Sequence, residues 1–148
     1  MGTTNRRLPR RAHADRPRPG ETVRKRGGVD LQNGWLGRHG TLYLADDRLV
    51  FVPTILDTLL RAKRREMLLD EIVEVERYPA HPEDANPGGQ RPRMIIHTAE
   101  CGYEFMVGDL DAWIDAVEIV YAHRNKLGQE HLPVFVREGS TTAMLREL

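Results

Sequence analysis

The sequence predicts an α+β domain in which about seven short strands form a strongly bent antiparallel sandwich or barrel, capped by one C-terminal helix. Three observations predict it. Past Gly20, apolar stretches of strand length recur with turn residues between them. Several alternate, as in Val73-Glu74-Val75-Glu76, so that one face is wet. The best apolar stripe at helical spacing comes late in the chain, around Trp113.

Residues 1–20 stand apart from this domain. Leu8 is the only large apolar residue there after Met1, and Pro9, Pro17 and Pro19 break any helix. The segment buries too little to offset its ordering entropy and reads as a disordered basic arm. The domain spans 21–128, and 129–148 form a tail.

A first strand falls within 21–31 and a second within 35–45. Asp46-Asp47 then makes a two-residue turn into Arg48-Leu49-Val50-Phe51-Val52, which Pro53 stops. From Thr54, a natural cap, Ile55, Leu56, Leu59 and Leu60 fall on one side at helical spacing. Basic residues follow at the C-terminal end, where the helix dipole favours them, giving a short basic amphipathic helix or turn. Strands resume at 66–69 and 72–78, and the proline- and glycine-rich stretch 79–92 is a long exposed loop. A hairpin follows, 93–98 and 103–107 flanking Ala99-Glu100-Cys101-Gly102. Asp109 caps the final helix, Leu110, Trp113, Ile114, Val117, Val120 and Tyr121 form its stripe, and Gly128 ends it. The tail contains Leu132-Pro133-Val134-Phe135-Val136 and a last helical turn at 144–148.

A length of 148 residues has room for one domain and tails, and 40% hydrophobic with 30% charged residues suits a modest core under a solvated surface. Cys101 is alone, so no internal disulfide forms and no zinc site has its usual anchors, which fits a reducing compartment. No apolar run is long enough to span a bilayer, no secretion signal opens the chain, and Arg6 stands where a myristoylation signal wants Ser or Thr. The expected location is the cytoplasm, with a peripheral place at the inner face of the membrane. The 22 basic and 22 acidic residues sum to zero, but residues 1–26 carry nine bases against Asp15 and Glu21, a net of +7 that leaves −7 on the rest.

Catalytic and cofactor signatures are missing. Gly34, Gly37 and Gly40 have the wrong spacing for a nucleotide loop and serve to let a strand bend or bulge. His13, His39, His81, His97, His123 and His131 lack metal-ligand spacing, so no metal and no cofactor are expected. Glu100 beside Cys101 puts like charge next to any thiolate, which argues against a catalytic one. Six carboxylates run from Glu100 to Glu118, yet Asp111, Asp115 and Glu118 fall opposite the apolar stripe and read as a solvated face, one that also attracts the basic arm.

Three segments carry a family resemblance: Gly40-Thr41-Leu42-Tyr43-Leu44-Ala45-Asp46-Asp47-Arg48-Leu49-Val50-Phe51, the step from Leu68 to Val75, and Tyr103-Glu104-Phe105 ahead of the Trp113 helix. In this order they resemble the GRAM branch of the pleckstrin-homology-like (PH-like) superfamily, over residues 21–126. The short, Arg-rich style is similar to stand-alone actinobacterial members. The resemblance implies a non-catalytic binding module, for phosphoinositides or other anionic lipids in some relatives and for protein partners in others. Ala45 stands where the family usually has Thr, and 29–36 contain no Lys or Arg where many lipid-binding PH domains carry a basic pattern.

The expected role is a peripheral adaptor on anionic phospholipid or on a protein assembly. For lipid, the candidates are Arg61, Lys63, Arg64 and Arg65, with Leu59 and Leu60 entering the interface, and Arg24, Lys25 and Arg26 adding charge. The plainer alternative is a charged helix end whose Leu59 and Leu60 close the sheet's open edge. For protein, the candidates are Val134, Phe135, Val136, Met144 and Leu145, which offer a strand or helix to a partner. The same tail alternatively packs on its own domain or on a twin subunit. Nucleic acid ranks third, through the Arg-rich arm.

Overall fold

Strand and turn signals become one continuous sheet in the computed structural model, which describes residues 17–33, 36–59, 62–79, 91–126 and 132–136. The strands are β1 (Val23–Asn33), β2 (Leu36–Ala45), β3 (Arg48–Pro53), β4 (Arg65–Leu68), β5 (Ile72–Tyr78), β6 (Arg93–Thr98), β7 (Gly102–Met106) and β8 (Val134–Val136). Their order across the sheet is β4-β3-β2-β1-β7-β6-β5-β8. Every pairing is antiparallel except β5 with β8, which is parallel. Among the described residues the sheet is joined by two α-helices, the five-residue α1 (Ile55–Leu59) and the seventeen-residue α2 (Leu110–Lys126), and by a short 3-10 turn at Leu69–Glu71.

Alternation puts one face of each strand inside. Leu42 and Leu44 of β2, Leu49 and Phe51 of β3, Val75 of β5, Met94 and Ile96 of β6 and Phe105 of β7 are all fully buried in one core. α2 closes that core at one end through Trp113, Ile114, Val117, Val120 and Tyr121. Gly27 of β1 faces it, a Cβ there meeting the Trp113 ring at an ordinary contact distance of 3.4 Å. The Tyr121 hydroxyl donates to the Leu69 carbonyl at 2.5 Å, so the one polar atom of that side chain is satisfied inside.

Four expectations change. The helix expected from Thr54 ends at Leu59, although Thr54 does cap it, its hydroxyl accepting from the Asp57 N–H at 3.2 Å. Gly40 is no bulge residue: a Cβ there would lie 2.4 Å from the Val52 carbonyl and 2.6 Å from the Phe51 ring, so it permits close approach of β2 and β3. An eighth strand is added, because 134–136 lie along the exposed edge of β5. Phe135 turns into the core there, edge-on to Tyr121 with ring centroids 5.9 Å apart. Finally, the acidic run after Glu100 meets cations of the folded body: Arg93 binds Glu104, Lys25 binds Asp109 and Arg77 binds Asp111. The arm at 1–16 and the last turn at 144–148 lie outside the described residues.

Candidate functional site

The core alternation does not stop where the apolar residues stop. On β2 the inward series Leu44, Leu42, Gly40 continues to Arg38, which pairs across the ladder with the core residue Leu31. On β4 the inward Met67 is followed two residues away by Arg65, which pairs with the core residue Phe51. Both arginines therefore occupy core-side positions at the rim, and they help to line an open pocket of about 370 Å³. Its remaining walls come from Leu31 and Gln32, Phe51, Ala62 and Lys63, and the hairpin residues Cys101, Gly102 and Tyr103.

This pocket lies at the end of the sheet opposite α2. β1 connects the two: Lys25 lies 5.0 Å from the Trp113 ring centroid, while Leu31 lines the pocket, about 20 Å further along at the rise of a strand. One end is plugged, and the other is open.

Electrostatically the pocket is one-sided. Arg38, Lys63 and Arg65 line it, and no carboxylate of the described residues does. Among the described residues none of the three makes an ion pair, and Arg38 Nε is shielded from water without a hydrogen-bond partner. Neighbouring Arg64 differs, being bound to Glu66 at 3.2 Å. Burial pushes the Glu66 carboxyl up, but Arg64, Arg48 and Arg18 together hold it below the ordinary range, so Glu66 stays anionic and keeps Arg64 occupied. On the hairpin wall a hydrogen bond with Cys101, then burial, raises the Tyr103 hydroxyl above the ordinary phenol range, while the Arg65 charge pulls the other way. A neutral phenol and three cations suit an anionic group that accepts hydrogen bonds.

Beside the pocket, α1 is inside out. Asp57 is its buried residue, 6% exposed, and it accepts from the His39 backbone N–H at 2.7 Å and from the Thr54 hydroxyl at 3.1 Å. Anchored through that carboxylate, the helix turns Ile55, Leu56 and Leu59 outward at 69%, 68% and 65% exposure. Leu59 thus faces out, while Leu60, its partner in the plainer alternative for the basic cluster, lies outside the described residues. Ala62 N–H bonds back to the Asp57 carbonyl at 2.8 Å, so the chain passes from the apolar ridge to Lys63, Arg64 and Arg65.

Of the lipid candidates, Lys63 and Arg65 line the pocket, Arg64 lies on its margin in an ion pair, and Leu60 and Arg61 lie outside the described residues. Arg24, Lys25 and Arg26 are not brought to it. They lie toward the plugged end, where Arg24 binds Asp46 at 2.6 Å and Lys25 binds Asp109 at 2.6 Å. Of the protein-partner candidates, Phe135 packs inside, Val136 is half-buried, Val134 is 63% exposed, and Met144 and Leu145 lie outside the described residues. Arg38, Ile55 and Leu56 were missing from the candidates. The signal for Arg38 was its two-residue spacing from Gly40 and Leu42, which continues the inward face. The one group of metal-ligating type among the described residues is Glu74, Glu76 and His97, on the other face of the sheet. No helix of the described residues is long and apolar enough to cross a membrane.

No family model matches the chain, and no curated protein matches it. Solved structures match in fold. The C-terminal domain of an unknown protein from Leishmania infantum superposes with a TM-score of 0.55 at 15% identity, over 70% of this chain and 87% of that one. The Vps36 N-terminal PH domain gives 0.54 at 16% identity, over 77% and 87%. The hSac2 domain from human phosphoinositide phosphatase Sac2 gives 0.55 at 10% identity, over 87% and 84%. With a bent sheet of eight strands closed at one end by a C-terminal helix, the fold of this chain is PH-like.

Proposed function

We propose that this chain is a non-catalytic PH-like module of the GRAM type that docks on anionic membrane lipid through the open end of its sheet. One observation carries the reading: three cations with no ion pair among the described residues, Arg38, Lys63 and Arg65, line a pocket beside a helix whose three large aliphatic side chains face out. The pocket takes the negatively charged headgroup. Ile55, Leu56 and Leu59 enter the acyl boundary beside it, where burying each aliphatic side chain contributes about 1.5–3 kcal/mol. Each nearby Lys or Arg adds about 1 kcal/mol against an anionic surface.

Vesicle co-sedimentation tests this. Phosphatidylcholine vesicles with one-fifth phosphatidylserine or phosphoinositide should pellet the chain at low salt, and pure phosphatidylcholine should pellet it weakly. Reversing Arg38, Lys63 and Arg65 to Glu should remove the difference. Failure to bind anionic vesicles at low salt rejects the reading, as does full binding by the reversed variant.

A second reading, a protein partner, is favoured by one observation. β8 stands at the edge of the sheet, with Val134 and Leu132 at 63% and 49% exposure. A partner strand there extends the sheet. Pull-downs that lose partners when 132–148 are deleted support it, and pull-downs indifferent to that deletion reject it.

A further inference from the structure

A different cluster lies on the outer face of the sheet. Glu74 and Glu76 project from one side of β5, two residues apart, and His97 of β6 stands directly across from Glu74 in register. One ligand atom from each lies within 4.8 Å of the others. Glu76 is 1% exposed, so its carboxylate stands where little water competes for it. His97 Nε2 sits 3.0 Å from the Glu76 Oε1 and is shielded from water, yet it makes no hydrogen bond of acceptable geometry. The ring is therefore near the carboxylate without being aimed at it. Gly102 makes the ring position available, since a Cβ there would meet His97 Nδ1 at 3.0 Å. Val134 and Val136 of β8 stand in register with the two glutamates.

We propose that Glu74, Glu76 and His97 bind a divalent transition-metal cation of the zinc type. Two carboxylate oxygens and one imidazole nitrogen are a donor set that Zn²⁺ takes, and three protein ligands leave a fourth position for water or a donor from another molecule. Magnesium and calcium prefer all-oxygen shells of six or more ligands, which this group does not offer. A tetrahedral site with bonds of about 2.1 Å has edges of about 3.4 Å, and the three donors already lie within 4.8 Å of one another. Both glutamates keep further contacts of their own, so what points to a cation is the convergence of three donors on one spot. The site needs no lipid and stands independently of the membrane reading.

The test is calorimetric titration of Zn²⁺ into the untagged full chain after EDTA treatment, with Co²⁺ as the spectroscopic probe. One equivalent should bind and raise the unfolding temperature, and Co²⁺ should give visible d–d bands without a thiolate charge-transfer band. His97→Gln and Glu76→Gln should each weaken binding at least tenfold. Cys101→Ser should leave it unchanged. Glu74→Gln, at a half-buried position, reads the same loss if Glu76→Gln does not fold. A plain His97–Glu76 ion pair predicts no stoichiometric binding and no thermal shift, and that result overturns the site. Binding that survives His97→Gln, or that Cys101→Ser abolishes, overturns it equally.

Discussion

Arg48 shows how a single side chain ties the start of the domain to its sheet. It is 2% exposed, donates to both Glu21 carboxylate oxygens at 2.7 and 2.8 Å and to the Tyr43 hydroxyl at 3.2 Å, and lies 3.4 Å from Glu66. Removing one partner of such a pair leaves a buried charge uncompensated, so Arg48→Ala should lower the unfolding free energy in urea by about 3–5 kcal/mol. Arg48→Met combined with Glu21→Leu should cost much less, because neither charge is then stranded. pH separates the electrostatic part. The hydrogen bond from Arg48, working against burial, holds the Glu21 carboxyl below its ordinary 4.5. A carboxyl depressed in the folded state stabilises fully above about pH 4.5, and that contribution is lost as pH falls through the folded value. Urea midpoints measured from pH 6 to pH 3 should therefore fall less steeply in Glu21→Gln than in the parent chain. Equal slopes would show that the pair contributes nothing to acid sensitivity.

Among the elements, α1 departs furthest from the usual pattern, since its polar residue is buried and its apolar residues are wet. The triple change of Ile55, Leu56 and Leu59 to Ser removes surface that supports no core, so stability should move by no more than about 0.5 kcal/mol per position while anionic-vesicle binding drops. A large loss of stability would mean that the ridge packs on the fold. β8 behaves oppositely. Phe135→Ala removes its contact with Tyr121 and should cost about 1–3 kcal/mol, read as a shifted urea midpoint at unchanged slope. These two elements also mark the limits of what the sequence reveals. The alternation of Leu42 and Leu44 with Thr41 and Tyr43, and the α2 stripe, are local patterns, and local patterns are legible. The spacing of Ile55, Leu56 and Leu59 was legible as well, but not which side faces the sheet. That depends on Asp57 reaching the His39 backbone, eighteen residues away in sequence. The convergence of Arg38, Lys63 and Arg65 was equally hidden, because strand pairing joins 31 to 38 and 51 to 65 and no short window contains all three. The placement of Arg24, Lys25 and Arg26 away from the pocket was hidden for the same reason in reverse. They are dense in sequence, but Asp46 and Asp109 approach two of them from remote segments.

At the scale of the whole molecule, the ion pairs of the described residues are arranged along an axis. Toward the plugged end, cations are matched to carboxylates, as in Lys25 with Asp109, Arg24 with Asp46 and Arg77 with Asp111. At the open end Arg38, Lys63 and Arg65 have no such match among the described residues. On the proposed membrane reading, an anionic surface would orient this protein without any excess of charge in its composition, and the field it feels decays over a Debye length of about 10 Å at 0.1 M salt. The apolar ridge beside the pocket responds differently, because burial of aliphatic surface is not screened by ions. Vesicle partitioning should thus separate into two measurable parts. Plotted against the logarithm of salt concentration, binding of the parent chain should fall with a clear slope. Charge reversal at Arg38, Lys63 and Arg65 should flatten or invert that slope, since the three cations together account for roughly 3 kcal/mol against an anionic surface at low salt. The Ile55, Leu56 and Leu59 serine variant should keep the slope and shift the whole line to weaker binding. A slope that persists after charge reversal would assign the electrostatic contact to basic residues elsewhere in the chain, and a serine variant that changes the slope would show that ridge and pocket do not meet the same bilayer.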